Sequence, residues 1–259
     1  IKGLVDRLEL SQAKAMMPLY EAISNAVDAI EEHQDGFINH SIRIRLIASN
    51  DLAHQGGDET LVVDGFDVID DGVGFNDKNL ASFKEAHTLS KVKLGGRGVG
   101  RFTFLKVFSS VRIRSVFKRE SQALLREFDF SIEDELKGAD VTSEVTEKCG
   151  TQTSLRGMDE KFRAGWPTQP ETIAERVIAH FLIRFAARSC PPMTLESPGH
   201  APIDLHALFQ STVLAHIEEQ FFDVSGHTFA LQAYRHRDGR SRHELNLCAN
   251  GREVTTTKL

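Results

Sequence analysis

The chain has 259 residues, which is long enough for one large domain or two modest ones. Its composition, 41% hydrophobic and 26% charged, excludes the disordered and fibrous classes. The net charge of −6 gives no overall attraction to nucleic acid, although a local basic face remains compatible with it.

The expected cellular location of the protein is inferred from features that the sequence lacks. It contains no run of about 18 apolar residues, so neither a membrane span nor a membrane partner is expected. Cys149, Cys190 and Cys248 are far apart, with neither metal-ligand spacing nor a disulfide framework, so a reducing cytoplasm is the expected location. The first residue is Ile1 and no signal-peptide pattern follows it, so the sequence is interpreted as a fragment.

Hydrophobic periodicity predicts the secondary structure in chain order. The predicted elements are a helix at 12–32, strands at 41–48 and 61–69, a helix at 77–87, strands at 110–117 and 123–131 joined around 118–122, a strand at 150–156, a helix at 171–188, and strands at 193–196, 228–234 and 244–247. Helices and strands mix without strict alternation, which predicts an α+β fold. Two prolines near 166–170 predict a boundary between domains 1–165 and 166–259.

The first predicted helix carries a polar stripe. At about 100° per residue, Glu21, Asn25 and Asp28 lie within about 60° of one another on the helix. An amphipathic helix with its polar side in water explains most such stripes. Asn and Asp are, however, poor residues for a helix interior, and Ala22 and Ala29 flank this stripe in place of long charged side chains. Solvent and a ligand remain equal alternatives for this stripe.

Two glycine-rich segments follow. In the segment Asp70-Asp71-Gly72-Val73-Gly74, carboxylates end a hydrophobic strand, and the glycines allow a close backbone approach to a ligand. A carboxylate there can accept a hydrogen bond from an exocyclic amino group such as that of adenine, although Asp-Gly is also common in turns. Residues 95–100 form a G-x-x-G-x-G pattern before an apolar run, which favours phosphate binding over a flexible linker.

Together these segments resemble the GHKL ATPase superfamily, which includes gyrase, the ninety-kilodalton heat-shock chaperone, histidine kinases and the mismatch-repair protein MutL. Four elements match in order over about 150 residues: the stripe on residues 21–29 resembles the family's N box, residues 70–74 its first glycine box, residues 95–100 its second glycine box, and Gly150-Thr151 its late threonine element. The resemblance implies the Bergerat fold, in which helices pack on a mostly antiparallel sheet and ATP lies between the helices and a mobile lid.

The resemblance also implies roles for individual residues. Glu21 would be the general base that activates water, Asn25 would coordinate Mg²⁺, and Asp28 would support the site. Asp70 would bind the adenine amino group near Thr151. The cofactors are therefore ATP and Mg²⁺, and the implied nucleotide-contacting residues are Asp28, Asp70, Gly72, Gly74, Lys91, Gly95, Gly98, Val99, Gly100 and Thr151, with Glu21 catalytic and Asn25 the metal ligand.

Residues 76–94 would form the lid, in which Lys91 either contacts phosphate or is solvated. Glu21 favours the hydrolytic branch over the histidine kinases, which generally lack this arrangement. Residues 166–259 resemble the start of a transducer domain, and residues 247–254 resemble a strand in the second domain of MutL, although Asn-Gly is also a favoured hairpin turn. No sensor lysine can be assigned.

Such ATPases act as ATP-gated homodimers, and residues 1–10 are a candidate exchange segment or a frayed terminus. One hypothesis for the partner is DNA, since Arg112 and Arg114 share a strand face and residues 235–243 are basic. The alternatives are a chaperone-like ATPase that remodels a protein client, or a non-hydrolytic ATP sensor.

Overall fold

The computed structural model describes residues 2–33, 36–37, 39–49, 61–85, 100–236, 244–249 and 252–258. The helices are α1 (Lys2–Arg7), α2 (Met17–Glu31), α3 (Asp77–Glu85), α4 (Phe102–Val107), α5 (Glu160–Arg163), α6 (Pro170–His180), α7 (Leu182–Ala186) and α8 (Leu205–Thr212). The strands are β1 (Ile42–Ala48), β2 (Val63–Asp70), β3 (Phe108–Arg119), β4 (Gln122–Ser131), β5 (Glu135–Lys137), β6 (Ser143–Glu144), β7 (Gly150–Met158), β8 (Met193–Glu196), β9 (Ile203–Asp204), β10 (Val213–Val224), β11 (His227–His236), β12 (Glu244–Ala249) and β13 (Arg252–Lys258).

Nine of the described strands form one mixed sheet. Its order is β5-β4-β3-β7-β2-β1-β8-β9, with β6 paired to β4. The pairs are antiparallel except β1 with β8, which run parallel. The predicted α+β class is therefore confirmed: helices combine with a large sheet that is mostly antiparallel.

The sheet has one apolar face and one polar face, because side chains alternate along each strand. In β1 the apolar face carries Ile42, Ile44 and Leu46, all buried, while Arg43 and Arg45 point the other way. The apolar side chains join those of the helices in one continuous core. The helices therefore lie on the apolar face and leave the other face polar.

Helix α2 is the central helix of that layer. Pro18 stands in its first turn, where a missing backbone N–H costs nothing. Its buried side includes Leu19, Ile23, Val27 and Ile30 at three- and four-residue spacing. This spacing fixes the rotation of α2 and turns the stripe that begins at Glu21 away from the core.

The core continues past residue 165. Ile173 and Val177 of α6 belong to the same buried cluster as α2, and β8 adds to the edge of the sheet beside β1. The division into two domains stays a prediction. In the structure, the chain leaves the main sheet for a separate one at Val213.

The helix predicted at 171–188 is two helices. Phe181 interrupts it with φ −106° and ψ 21°, and its ring is buried edge-on against Tyr20, with ring centroids 6.4 Å apart. Packing of this aromatic side chain against α2 accompanies the break, which periodicity alone does not report.

Two separate ribbons end the chain. The hairpin of β10 with β11 and the hairpin of β12 with β13 are both antiparallel. Strand β10 was not predicted, because its polar residues 218–220 interrupt the alternation of apolar side chains. Its pairing with β11 shifts register twice. Large apolar side chains on these ribbons stay exposed: Phe221, Phe222, Val224, Leu231, Leu245, Leu247 and Val254.

A substitution at Phe66 tests how much the core beneath α2 contributes to stability. Its fully buried ring packs against Phe108 and Trp166, with centroids 5.4 and 5.9 Å away. We expect Phe66→Ala to lower the free energy of unfolding by about 3–5 kcal/mol, because a large cavity remains. Val141→Ala, at a side chain 72% exposed, should change it by less than about 0.5 kcal/mol. Equal effects in denaturant unfolding would contradict the assignment of Phe66 to the core.

Candidate nucleotide site

The polar stripe of α2 borders the candidate site. Glu21 is half-buried, whereas Asn25 and Asp28 are exposed. The three side chains therefore lie at different depths along one helix face. The carboxylate of Glu21 is the most enclosed, and the oxygen atoms of Asn25 and Asp28 are accessible to a ligand.

The loop after β2 packs directly on this helix at Gly72. A Cβ atom at Gly72 would lie 2.8 Å from the carbonyl carbon of Ala29, closer than packed atoms allow. The next backbone N–H, that of Val73, donates to the carbonyl oxygen of Ala29 at 3.2 Å. Glycine is thus required because two backbones touch, and the predicted first glycine segment lies against the predicted stripe.

Asp70 ends β2 at the base of this loop. Its carboxylate is buried, with 9% of the residue exposed, and Oδ1 accepts a hydrogen bond from the backbone N–H of Gly72 at 2.9 Å. Burial raises the pKa of Asp70 to about 7, and hydrogen bonds from backbone groups of Gly72 and Thr151 partly offset this effect. A carboxylate that titrates near neutral pH beside a helix and a glycine loop is typical of a binding site.

Thr151 lies directly opposite Asp70 on the neighbouring strand β7. Its hydroxyl oxygen is 2.9 Å from that of Ser115, which also donates to the carbonyl of Gly150 at 3.2 Å. The hydroxyl of Ser115 in turn accepts from the backbone N–H of Phe75 at 2.7 Å. These bonds hold the late threonine and the end of the glycine loop in one network.

Ser115 was not among the predicted site residues. It is fully buried on the apolar face of β3, between Ile113 and Phe117 at alternate positions. A serine in a row of core-facing apolar residues was the signal available in the sequence. Gly74 also belongs to this contact: it has φ +76°, and a Cβ atom there would overlap the carbonyl oxygen of Val116.

The other end of the stripe meets Gly100. A Cβ atom on Gly100 would overlap the carboxylate of Glu21, so the backbone before α4 approaches this side chain closely. The structure therefore places Gly100 beside Glu21, eight residues along α2 from the contact of Gly72 with Ala29. The predicted Lys91, Gly95, Gly98 and Val99 lie outside the described residues.

The oxygen atoms of the stripe can be compared with the ligands that a divalent cation requires. Among the described residues, no group of three or more His, Cys, Asp and Glu is placed to hold a metal ion by itself. Mg²⁺ is commonly held by one or two protein oxygens together with substrate phosphates. The exposed amide of Asn25 offers such an oxygen on the stripe, so the donor set fits a cation that arrives with phosphate.

Asp70→Asn provides a test of the buried carboxylate. The folded-state pKa of about 7 exceeds the usual value of 3.8, so the contribution of Asp70 to stability is present below about pH 4 and is lost as the pH rises through 7. The amide of asparagine stays neutral, so Asp70→Asn does not lose stability in this way as the pH rises. We expect the melting temperature of Asp70→Asn, relative to the unmodified protein, to increase by roughly 3–8 °C between pH 5 and pH 8.

The exposed neighbour supplies the control for this measurement. Asp71 accepts from the backbone N–H of Ser41 at 2.8 Å and is open to solvent, and its charge is a minor cause of the raised pKa of Asp70. Asp71→Asn should therefore show a much smaller increase with pH. A pH-independent difference for Asp70→Asn would mean that Asp70 does not titrate near neutrality.

None of the helices in the described ranges combines the length and apolar character needed to cross a membrane. A scan against models of known protein families and a search of curated proteins both find no match for this chain.

Proposed function

We propose that this chain is an ATP-binding and ATP-hydrolysing domain of the GHKL type, with a Bergerat fold. The observation that carries the proposal is the meeting of three distant segments along α2: the loop 70–74 at Ala29, Gly100 at Glu21, and the pair Asp70 and Thr151 beneath the loop. These are the segments whose sequences resemble the family's motifs, and the packing of helices on one face of a mostly antiparallel sheet supports the same proposal.

The adenine ring would bind at the Asp70 end of the site. The carboxylate of Asp70 would accept a hydrogen bond from the exocyclic amino group. Gly72 and Gly74 let the loop pack directly on the backbones of Ala29 and Val116, which positions the loop beside this carboxylate. The backbone of Thr151 would hold the carboxylate, and the hydroxyl groups of Thr151 and Ser115 would fix the end of the loop. The Asp70 end of the site would therefore recognise the adenine base.

Hydrolysis would take place at the Glu21 end. Glu21 would accept a proton from the attacking water, and the close backbone of Gly100 would hold both in place. Asn25 would hold Mg²⁺, which when bound neutralises phosphate charge and orients the phosphate chain. Asp28, one turn further along α2, would hydrogen-bond to the waters around that cation.

Binding of ATP would close a lid and favour a homodimer through residues 1–10. In the structure α1 docks on the core through Val5, and the ammonium group of Lys106 donates to the carbonyl of Val5 at 3.0 Å. Leu4, Leu8 and Leu10 also pack against the core, so release of the segment on nucleotide binding would have to replace these contacts.

A protein partner is favoured over DNA as the target of the cycle. Arg114 is paired with Glu147 at 2.5 Å and Glu127 at 3.8 Å, and Arg112 lies 3.9 Å from Glu127, so the predicted phosphate contacts are already neutralised by carboxylates. The basic segment at 237–243 lies outside the described residues. The exposed apolar side chains of the two ribbons suit a protein surface better than a polyanion.

Glu21→Ala separates hydrolysis from binding. We expect Mg²⁺-dependent ATP turnover to fall at least about 100-fold, because the general base is lost, while the dissociation constant for ATP changes by less than about threefold. Asp70→Asn should instead weaken ATP binding. Turnover is measured by phosphate release and binding by calorimetry. Normal turnover in Glu21→Ala would refute the mechanism.

Two matched controls accompany this measurement. Glu32→Ala removes an exposed carboxylate just after the same helix and should leave turnover unchanged. Gly100→Ala should lower turnover with little loss of stability, because its methyl group displaces the flexible end of Glu21. Gly3→Ala, where no atom lies within 4 Å of the added carbon, is the control for that substitution.

The nature of the partner is tested by adding double-stranded DNA to the turnover assay at about 50 mM and about 200 mM salt. We expect no stimulation at either concentration. Stimulation at low salt that disappears at high salt would instead support the DNA hypothesis.

A further inference from the structure

Arg101 is a buried cation beside the proposed site. Only 4% of the residue is exposed, and its guanidinium carbon lies 4.2 Å from the ring centroid of Phe83 and 5.4 Å from that of Phe102. Stacking on aromatic rings stabilises the guanidinium plane and leaves its N–H donors at the edge.

Two of those donors, the N–H groups of Nε and Nη2, have no acceptor among the described residues. Arg126 is a useful contrast at the terminal nitrogens. It is equally buried, stacks on Phe117 at 4.6 Å and also has no acceptor for Nε, but its two terminal nitrogens donate to the carbonyl of Phe75 and to Asp77. Leaving charged donors unsatisfied in a buried position is costly, so the position of Arg101 points to an acceptor that the described part of the chain does not supply.

The charges around Arg101 indicate what kind of acceptor it requires. Burial lowers the pKa of Arg101 to about 10, and the charge of Glu21 partly offsets this, so the side chain stays protonated at neutral pH. The sequence between α3 and Gly100, residues 86–99, contains Lys91, Lys93 and Arg97 but no Asp or Glu. No carboxylate from that segment can therefore neutralise Arg101.

We infer that Arg101 binds the phosphate chain of the nucleotide and so selects a polyphosphate over a nucleoside, an inference that rests on the proposed function. Phosphate oxygens accept from the edge of a guanidinium group in the geometry that its N–H donors present. Arg101 directly follows Gly100, whose backbone touches Glu21, and the electrostatic influence of Glu21 reaches it. The phosphate chain is thus held between the carboxylate of Glu21, which is the proposed general base, and the guanidinium group of Arg101.

The stacking of Arg101 on Phe83 also links two elements of the fold. Phe83 lies in the last turn of α3, and Arg101 stands just before α4, so the pair joins the two elements that border residues 86–99 in the chain. Phosphate binding at Arg101 would therefore hold the end of α3 and the start of α4 together.

The test compares Arg101→Met and Arg101→Lys with the unmodified protein. Calorimetry with ATP, adenosine and inorganic triphosphate gives the dissociation constants. We expect Arg101→Met to weaken ATP and triphosphate binding about 10- to 100-fold and adenosine binding by less than about threefold. We expect Arg101→Lys to bind ATP and triphosphate more tightly than Arg101→Met and more weakly than the unmodified protein. A lysine keeps the positive charge but loses the N–H donors along the edge of the guanidinium group.

Arg126→Met is the matched control, because it removes an equally buried, ring-stacked arginine that already has partners. It should lower thermal stability without changing the ratio of ATP to adenosine affinity. Equal affinity of Arg101→Met and the unmodified protein for ATP, or an equal loss of ATP and adenosine binding, would overturn the inference.

A measurement on the unmodified protein covers the case in which Arg101→Met does not fold. The Nε–H resonance of Arg101, assigned by its absence from Arg101→Lys, should shift on addition of triphosphate and not on addition of adenosine. An unchanged resonance at saturating triphosphate refutes the inference. If triphosphate binds through Arg101 but adenosine does not bind at all, the inference stands and the adenine assignment of Asp70 fails.

Discussion

The contact between Gly72 and Ala29 is the constraint on which the site depends. It joins the loop at the end of β2 to the C-terminal half of α2, with the Val73 N–H bonded to the carbonyl of Ala29. Because backbone touches backbone there, no side chain larger than hydrogen is tolerated at Gly72. The contact sets the distance between the carboxylate that ends β2 and the polar stripe of the helix. Every proposed role for Asp70 and Glu21 assumes that distance.

Burial of polar groups accompanies this close packing. Asp70 lies beneath the loop with its pKa raised to about 7, and Arg101 lies beside Glu21 with its pKa lowered to about 10, in both cases mainly because burial disfavours the charged form. A fold selected only for stability would place apolar groups at both positions. The buried carboxylate of Asp70 and the buried guanidinium group of Arg101 lie at opposite ends of one helix face. In the proposed function they would bind the amino group and the anionic chain of the nucleotide.

Much of the fold was predictable where a local pattern and its burial agree. The alternation of β1 and the three- and four-residue spacing of Ile23, Val27 and Ile30 gave the right elements within a few residues, because each has one face against the core. The pattern failed at Phe181 and in β10. Phe181 breaks a periodic helix to pack against Tyr20, and β10 pairs with β11 through its backbone although its side chains do not alternate. In both cases a partner distant in sequence outweighs the local preference.

By itself the sequence determined the candidate residues: the stripe of Glu21, Asn25 and Asp28, the Asp-Gly segment and the late threonine, since each is a local choice of residue type at a fixed spacing. Tertiary structure alone decided how they meet. Only the packing of the loop on Ala29, of Gly100 on Glu21, and of β7 beside β2 brings these segments to one helix face. It also selected Ser115 and Arg101, whose importance comes from buried neighbours rather than from any motif. The physical reason is that hydrogen bonding and burial depend on contacts between distant residues, which local spacing does not encode.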